Sequence, residues 1–144
     1  MGSQNLRNLL AIGRLKAHQP TPDELLRLLY AAERNLRDAG VTAVSDETRF
    51  DAAYKAIMQC ALVGMMVSGY RPSTSEPGHH QTLIQTLGET LSVPADTWVV
   101  LDALRRRRNA NDYTGDGVTP DMVDECVAQA RGLLALARAR IGPA

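Results

Sequence analysis

The sequence has few aromatic residues, few cysteines and no excess of either charge. Aromatic side chains make up 4% of its 144 residues, and the two cysteines, Cys60 and Cys126, lie in helical patterns without a ligand motif. Neither a disulfide framework nor a zinc site is therefore indicated. Because 16 acidic and 16 basic residues cancel, no global field draws the protein to nucleic acid or to an anionic membrane. Any such affinity must be local.

The sequence also lacks a long hydrophobic run and a secretion signal. Its longest apolar stretch, Cys60 to Val67, is much shorter than the roughly 20 residues that cross a bilayer. The N-terminus has no basic flank followed by an apolar segment. We therefore expect a protein of the reducing cytoplasm with no membrane partner.

Helical periodicity is the dominant pattern in the chain. Residues 1–144 are expected to form a single domain, with an N-terminal helical extension over residues 1–20 that reaches about His18. Capping signals predict further helices after Thr21, Ser45 and Thr119, and the helix after Ser45 is expected to be central because it is apolar nearly all round. Two more helices are predicted, one from about His79 or His80 to Leu91 and one over about 94–113.

No segment alternates with period two over a useful length, so the sequence predicts no sheet. Short connections favour antiparallel neighbours. The fold class that follows is all-α, an up-down antiparallel helical bundle of about five to six helices.

Charge is concentrated in one place, at the end of the fifth predicted helix, where the sequence reads LRRRRNANDY (residues 104–113). The apolar seam of this helix continues into Arg105, Arg108 and Asp112, whereas Arg106 and Tyr113 lie on another face. Arg108 is therefore predicted to point into the bundle or into a subunit interface. Its nearest acceptor in the sequence is Asp112, one turn later.

This arginine run has two interpretations. A basic helix end is commonly a solvated face, since arginines there complement the helix dipole. Alternatively, Arg105, Arg107 and Arg108 line a cleft that binds the phosphate of RNA or of a nucleotide. Guanidinium groups match phosphate oxygens in pairs and stay charged at any working pH.

The chain resembles the HEPN superfamily over roughly residues 21–141. The resemblance rests on an amphipathic helix with the sequence RFDAAYKA (residues 49–56), a following loop with histidine, and a long last helix. Its most specific part is RRNANDY (residues 107–113), which is similar to the Arg-polar-x3-His motif of HEPN ribonucleases and to the Arg…Asp-Tyr variant of related branches.

The resemblance implies a small helical bundle that forms a homodimer, with two copies of the motif across an interface cleft. It implies a component of a toxin-antitoxin or defence-type module that binds RNA, and metal-independent RNA cleavage without a cofactor. Arg108 matches the motif arginine, which would stabilise the phosphorane charge. Asn109 matches the polar residue, which would orient the phosphate.

Tyr113 stands where the motif histidine belongs. A tyrosine with an ordinary pKa of about 10 is a poor base near neutral pH, so proton transfer falls to Tyr113, Asp112 or a histidine of the loop. The pair His79 and His80 either supplies that chemistry from a loop folded over the cleft or is simply an exposed helix start. Adjacent histidines lack the i, i+4 spacing of zinc ligands.

Two other functions stay open. The chain is alternatively a non-catalytic partner subunit of a minimal nucleotidyltransferase, modified at Tyr113, as the resemblance also implies. In the third interpretation it is a structural helical dimer whose arginines only bridge subunits. A cognate antitoxin is a further partner that the resemblance implies.

Overall fold

The computed structural model describes residues 3–75, 78–115 and 117–142, without the side chains of residues 111 and 112, and this part of the chain is mostly helical. The predicted all-α character is confirmed. The elements in chain order are α1 (Gln4–Ala11), β1 (Leu15–Ala17), α2 (Pro22–Ala39), α3 (Asp46–Val67), β2 (Tyr70–Pro72), α4 (His79–Gln85), α5 (Leu87–Thr90), α6 (Ala95–Thr114) and α7 (Pro120–Ile141).

Local capping chemistry determines where three of the long helices begin, as the sequence predicts. The hydroxyl of Thr21 accepts a hydrogen bond from the Glu24 amide at 3.1 Å, and α2 and α7 both begin with a proline. Ser45 caps α3 in the same way, accepting from the Thr48 amide at 3.1 Å. Each cap satisfies a backbone N–H that the first turn of a helix leaves without a partner.

The predicted central helix is α3, which packs against both α2 and α7. Its buried side chains include Phe50, Tyr54, Ile57 and Met65, so it contributes to the core on several sides. By length and composition α3 is apolar enough to cross a membrane, but 67% of the relevant window is buried inside the fold. A core helix of a compact protein has the same properties.

The prediction of no sheet is wrong, and so is the predicted length of the first helix. α1 ends at Ala11, since Gly13 adopts a left-handed φ of +82° that turns the chain. β1 then pairs antiparallel with β2, Leu15 facing Pro72. Strands of three residues are too short to show an alternating pattern, and their pairing joins segments more than 50 positions apart.

The helix predicted over about 80–91 is interrupted, which raises the number of helices among the described residues to seven. α4 ends at Gln85, and α5 begins two residues later. The buried hydroxyl of Thr86 donates to the carbonyl of Thr82 at 2.8 Å and competes with the regular helical pattern. The expected five to six helices therefore become seven by division of one.

Candidate functional site

The arginine run at the end of α6 is divided between two surfaces. The side chains of Arg105 and Arg108 are 15% and 27% exposed, whereas that of Arg106 is 73% exposed. Leu101 and Leu104 are buried on the preceding turns, so the arginines on the inner side extend the core-facing side of the helix. The predicted division of the run is confirmed.

A buried carboxylate holds two of these arginines. The Nε of Arg105 donates to Oδ1 of Asp102 at 3.0 Å, and the Nη2 of Arg106 lies 2.9 Å from Oδ2 of the same residue. Asp102 was not among the residues predicted from the sequence. Its spacing three and four positions before the arginines is the signal that identifies such a pair on a helix.

Arg108 contacts the central helix. Its guanidinium carbon lies 5.2 Å from the ring centroid of Tyr54, within the range of a cation–π interaction, and its Nε lies 3.4 Å from Oδ1 of Asp51. The structure therefore places Asp51 beside Arg108. The predicted acceptor, Asp112, lies outside the described side chains.

His80 joins this contact from a third helix. The hydroxyl of Tyr54 lies 3.2 Å from its Nδ1, and the ring of His79 meets the ring of His80 edge-on at 4.7 Å between centroids. A left-handed turn at Gly78, with φ +85°, precedes α4, which packs against α3. The structure therefore places His80 against the same tyrosine that Arg108 contacts.

Tyr54, His80, Arg105 and Arg108 form what we call the three-helix cluster, after α3, α4 and α6. Burial raises the pKa of Tyr54 to about 12, although the positive charges of Arg108 and Arg105 oppose this rise. Tyr54 therefore keeps its proton at neutral pH. Burial, followed by the charges of His79, Arg108 and Arg105, lowers the pKa of His80 below its ordinary value. His80 is accordingly a neutral imidazole at pH 7.

The two ring nitrogens of His80 differ in their surroundings. Nδ1 is engaged by the Tyr54 hydroxyl, whereas Nε2 makes no hydrogen bond to any residue that the structure describes. A neutral imidazole with one nitrogen anchored presents the other to a ligand, either as a donor or as an acceptor according to the tautomer. The cluster thus combines fixed positive charge with one neutral imidazole.

The other predicted site residues lie elsewhere. Arg107 donates from Nη2 to the carbonyl of Gly117 at 3.1 Å and so holds the connection between α6 and α7. Asn109 is exposed, and Tyr113 is 91% exposed. Within the described structure neither contacts Tyr54 or His80. Tyr54 was predicted only as a core residue, because its spacing on α3 is that of a buried stripe.

No group of three or more potential metal-ligating side chains occurs among the described residues. The cluster instead offers guanidinium, imidazole and phenol groups, which bind anions and transfer protons. Compared with protein-family models, with curated proteins and with solved structures, the chain matches none of them.

Proposed function

We propose that this chain is a HEPN-like component of a toxin-antitoxin or defence-type module that binds RNA at the three-helix cluster. One observation carries the proposal. The guanidinium of Arg108 lies over Tyr54, whose hydroxyl contacts His80. Residues of three different helices therefore converge at Arg108, the arginine of the segment that resembles the HEPN motif.

Phosphate is the ligand that this chemistry fits best. Arg108 carries a permanent charge and a planar array of donors that pairs with phosphate oxygens. Its ion pair with Asp51 is long, 3.4 Å, and the Asp51 side chain is 51% exposed. Because the separation is long and one member of the pair is half exposed, the pair contributes little free energy, and a phosphate can compete with the Asp51 carboxylate for Arg108.

His80 supplies the proton transfer that Tyr113 is poorly suited to perform. In the catalytic version of the proposal, Nε2 of His80 accepts the proton of a ribose 2′-hydroxyl as its oxygen attacks the adjacent phosphorus. The bond from phosphorus to the 5′-oxygen then breaks and a 2′,3′-cyclic phosphate forms. The 5′-oxygen takes a proton from water, and the imidazolium of His80 returns its proton to the solvent. Arg108 stabilises the negative charge that develops on the phosphoryl oxygens.

Homodimerisation is part of the proposal. Val99, Arg106 and Tyr113 follow one another at intervals of seven on α6, which places them on one face, and all three are exposed. Val99 is 56% exposed and Tyr113 91% exposed. A second copy covering this face would bring two arginine-rich helix ends close together.

RNA binding is tested by fluorescence anisotropy with a labelled single-stranded RNA at several salt concentrations. We expect Arg108→Ala to lower the affinity about tenfold, or ~1.4 kcal/mol, and to reduce the salt slope by about 1. The matched control is Arg34→Ala, which removes an exposed arginine of α2. Equal affinities for the wild type and both variants would remove the three-helix cluster as the RNA-binding site.

Cleavage is tested separately by incubating the RNA with the wild type and with His80→Asn. The catalytic version predicts products that end in a 2′,3′-cyclic phosphate, formed by the wild type alone. Intact RNA in both samples, with binding retained, would leave the chain as an RNA-binding protein without nuclease activity.

The exposure of Tyr113 favours a second candidate function, that of a partner subunit modified by a minimal nucleotidyltransferase. A side chain that is 91% exposed at the end of α6 is accessible to a modifying enzyme. Intact-mass measurement on the protein isolated from its own cells tests this. One added nucleotide on the wild type, absent from Tyr113→Phe, supports modification, whereas unmodified wild type argues against it.

A further inference from the structure

A cavity of about 330 Å³ lies beside the three-helix cluster, between α3, β2 and the start of α4. Its volume falls at the lower end of the range for small-molecule sites, about 300–1,000 Å³. Met58, Leu62 and Met66 form one wall, and Leu83 of α4 contributes to it from another element. The cavity is therefore apolar over most of its lining.

One row of α3 side chains connects this cavity to the arginine end of α6. Tyr54, Met58, Leu62 and Met66 follow one another at intervals of four, so they lie along a single face of the helix. Tyr54 contacts Arg108, and the next three residues line the cavity. One helical turn, about 5.4 Å, separates Tyr54 from the first of them.

His80 belongs to both the cavity and the three-helix cluster. It lines the cavity, and its Nδ1 lies 3.2 Å from the hydroxyl of Tyr54. His79, Arg71 and Gln59 add polar groups to the same lining, and the Oε1 of Gln59 accepts a hydrogen bond from Asn35 at 2.8 Å. A ligand in the cavity thus meets apolar walls, several polar groups and, beyond His80, an arginine.

We propose that this cavity binds the nucleobase of a nucleotide unit whose phosphate lies against Arg108. The inference rests on the proposed phosphate-binding function and specifies its ligand. A nucleobase has two apolar faces and a polar edge, and the ribose separates it from a phosphate. Along α3 the apolar cavity at Met58, Leu62 and Met66 is likewise followed, one turn away, by the arginine that contacts Tyr54. The unit is either a free nucleotide or one residue of an RNA strand.

The lining suits an aromatic ring better than an alkyl chain. Methionine side chains adapt their shape and make favourable contacts with aromatic rings through sulfur, and histidine stacks on unpaired bases in RNA-binding sites. An alkyl chain would fill the apolar wall but would offer no hydrogen-bonding partners to the His79, His80 and Arg71 side chains of the lining, and shielding them from water costs free energy. The edge of a base supplies those partners.

Methyl NMR of the full-length protein provides a direct test. The methyl groups of Met58 and Met66 lie at the cavity, whereas Met122 lies on α7 and serves as the internal control. We expect AMP to shift the Met58 and Met66 signals and ribose 5-phosphate, which lacks a base, to leave them in place. Shifts confined to Met122, or none with either AMP or a short RNA, would overturn the inference.

Affinity measurements separate the base from the phosphate. We expect AMP to bind about tenfold more tightly than ribose 5-phosphate, and Leu62→Trp, which fills the cavity, to abolish that difference without affecting ribose 5-phosphate. Leu136→Trp is the matched control on α7, where Leu136 is 39% exposed. Should Leu62→Trp fail to fold, the methyl shifts of the wild type decide the question.

The outcomes distinguish this inference from the proposed function. Equal binding of AMP and ribose 5-phosphate, both weakened by Arg108→Ala, would overturn the base site and leave the phosphate site standing. Methyl shifts with adenosine, together with phosphate binding that is indifferent to Arg108→Ala, would support the base site and overturn the phosphate site. Shifts with a short RNA but not with AMP would support the base site and identify its ligand as a residue of an RNA strand.

Discussion

The hydroxyl of Tyr54 lies 3.2 Å from Nδ1 of His80, although the two residues are 26 positions apart in the sequence. This contact links the central helix α3 to α4, and the ring of Tyr54 in turn supports the guanidinium of Arg108. Tyr54 therefore positions both the imidazole of His80 and the guanidinium of Arg108.

Tyr54→Phe should destabilise the protein by about 0.5–1.5 kcal/mol, the net free energy of a typical hydrogen bond. The ring remains, so the packing of Arg108 is retained and the loss reports the hydroxyl alone. Urea unfolding measures the change. Tyr30→Phe, at a position that is 53% exposed, should stay within about 0.5 kcal/mol of the wild type; equal effects of the two substitutions would contradict the prediction.

Asp51→Asn should raise the affinity for inorganic phosphate and RNA by about fivefold, or ~1 kcal/mol. The substitution removes the carboxylate that lies 3.4 Å from Arg108 and competes with an incoming anion. Calorimetric titration with phosphate measures the change in affinity. Asp38→Asn removes the same charge from an exposed position on α2 and should give a smaller increase. Equal increases would show that only net charge matters.

His80→Asn should flatten the pH dependence of the melting temperature as the pH falls below about 7. The folded pKa of His80 is lowered by burial, by His79 and by the two arginines, so the unfolded chain binds its proton more readily. The folded state therefore gains stability from neutral His80 at a pH above the unfolded pKa of about 6.5. This gain is lost as the pH falls towards the lower pKa of His80 in the folded state. If the melting temperatures of the wild type and of His80→Asn change equally with pH, the lowered pKa of His80 is refuted.

Gly64→Ala should destabilise the protein by about 1–3 kcal/mol through overpacking. An added Cβ would lie 2.7 Å from Cγ of Leu91 and 3.2 Å from Cβ of Thr90, both of which are buried. Gly132→Ala is the matched control, since nothing lies within 4 Å of the added atom in the middle of α7. It should stabilise the protein by about 0.5–1 kcal/mol. Thermal unfolding distinguishes the two, and stabilisation by both would contradict the close packing at Gly64.

The positions of the long helices could be predicted because their signals are local. Thr21, Ser45 and Thr119 cap helices through amides three residues ahead, and such a bond depends on the neighbouring sequence alone. The division of the arginine run between two surfaces was predictable for the same reason, since the helical repeat determines which residues share a face. The role of Asp102 could equally have been predicted, because it is a carboxylate three positions before Arg105.

The three-helix cluster and the strand pair could not be predicted in this way. The spacing of Tyr54 is that of any core residue, and no local pattern indicates that His80 would reach it or that Asp51 would lie beside Arg108. The strands β1 and β2 are likewise too short to be recognised, and each forms only by pairing with the other.

The sequence by itself thus determined the long helices, their faces and the concentration of charge at the end of α6, because hydrogen bonds and side-chain spacing within a few residues decide them. Only the tertiary structure decided which groups stand next to that charge. Helix packing is set by burial of apolar surface, which brings together Tyr54, His80 and Arg108 from α3, α4 and α6 without any sequence signal that links them.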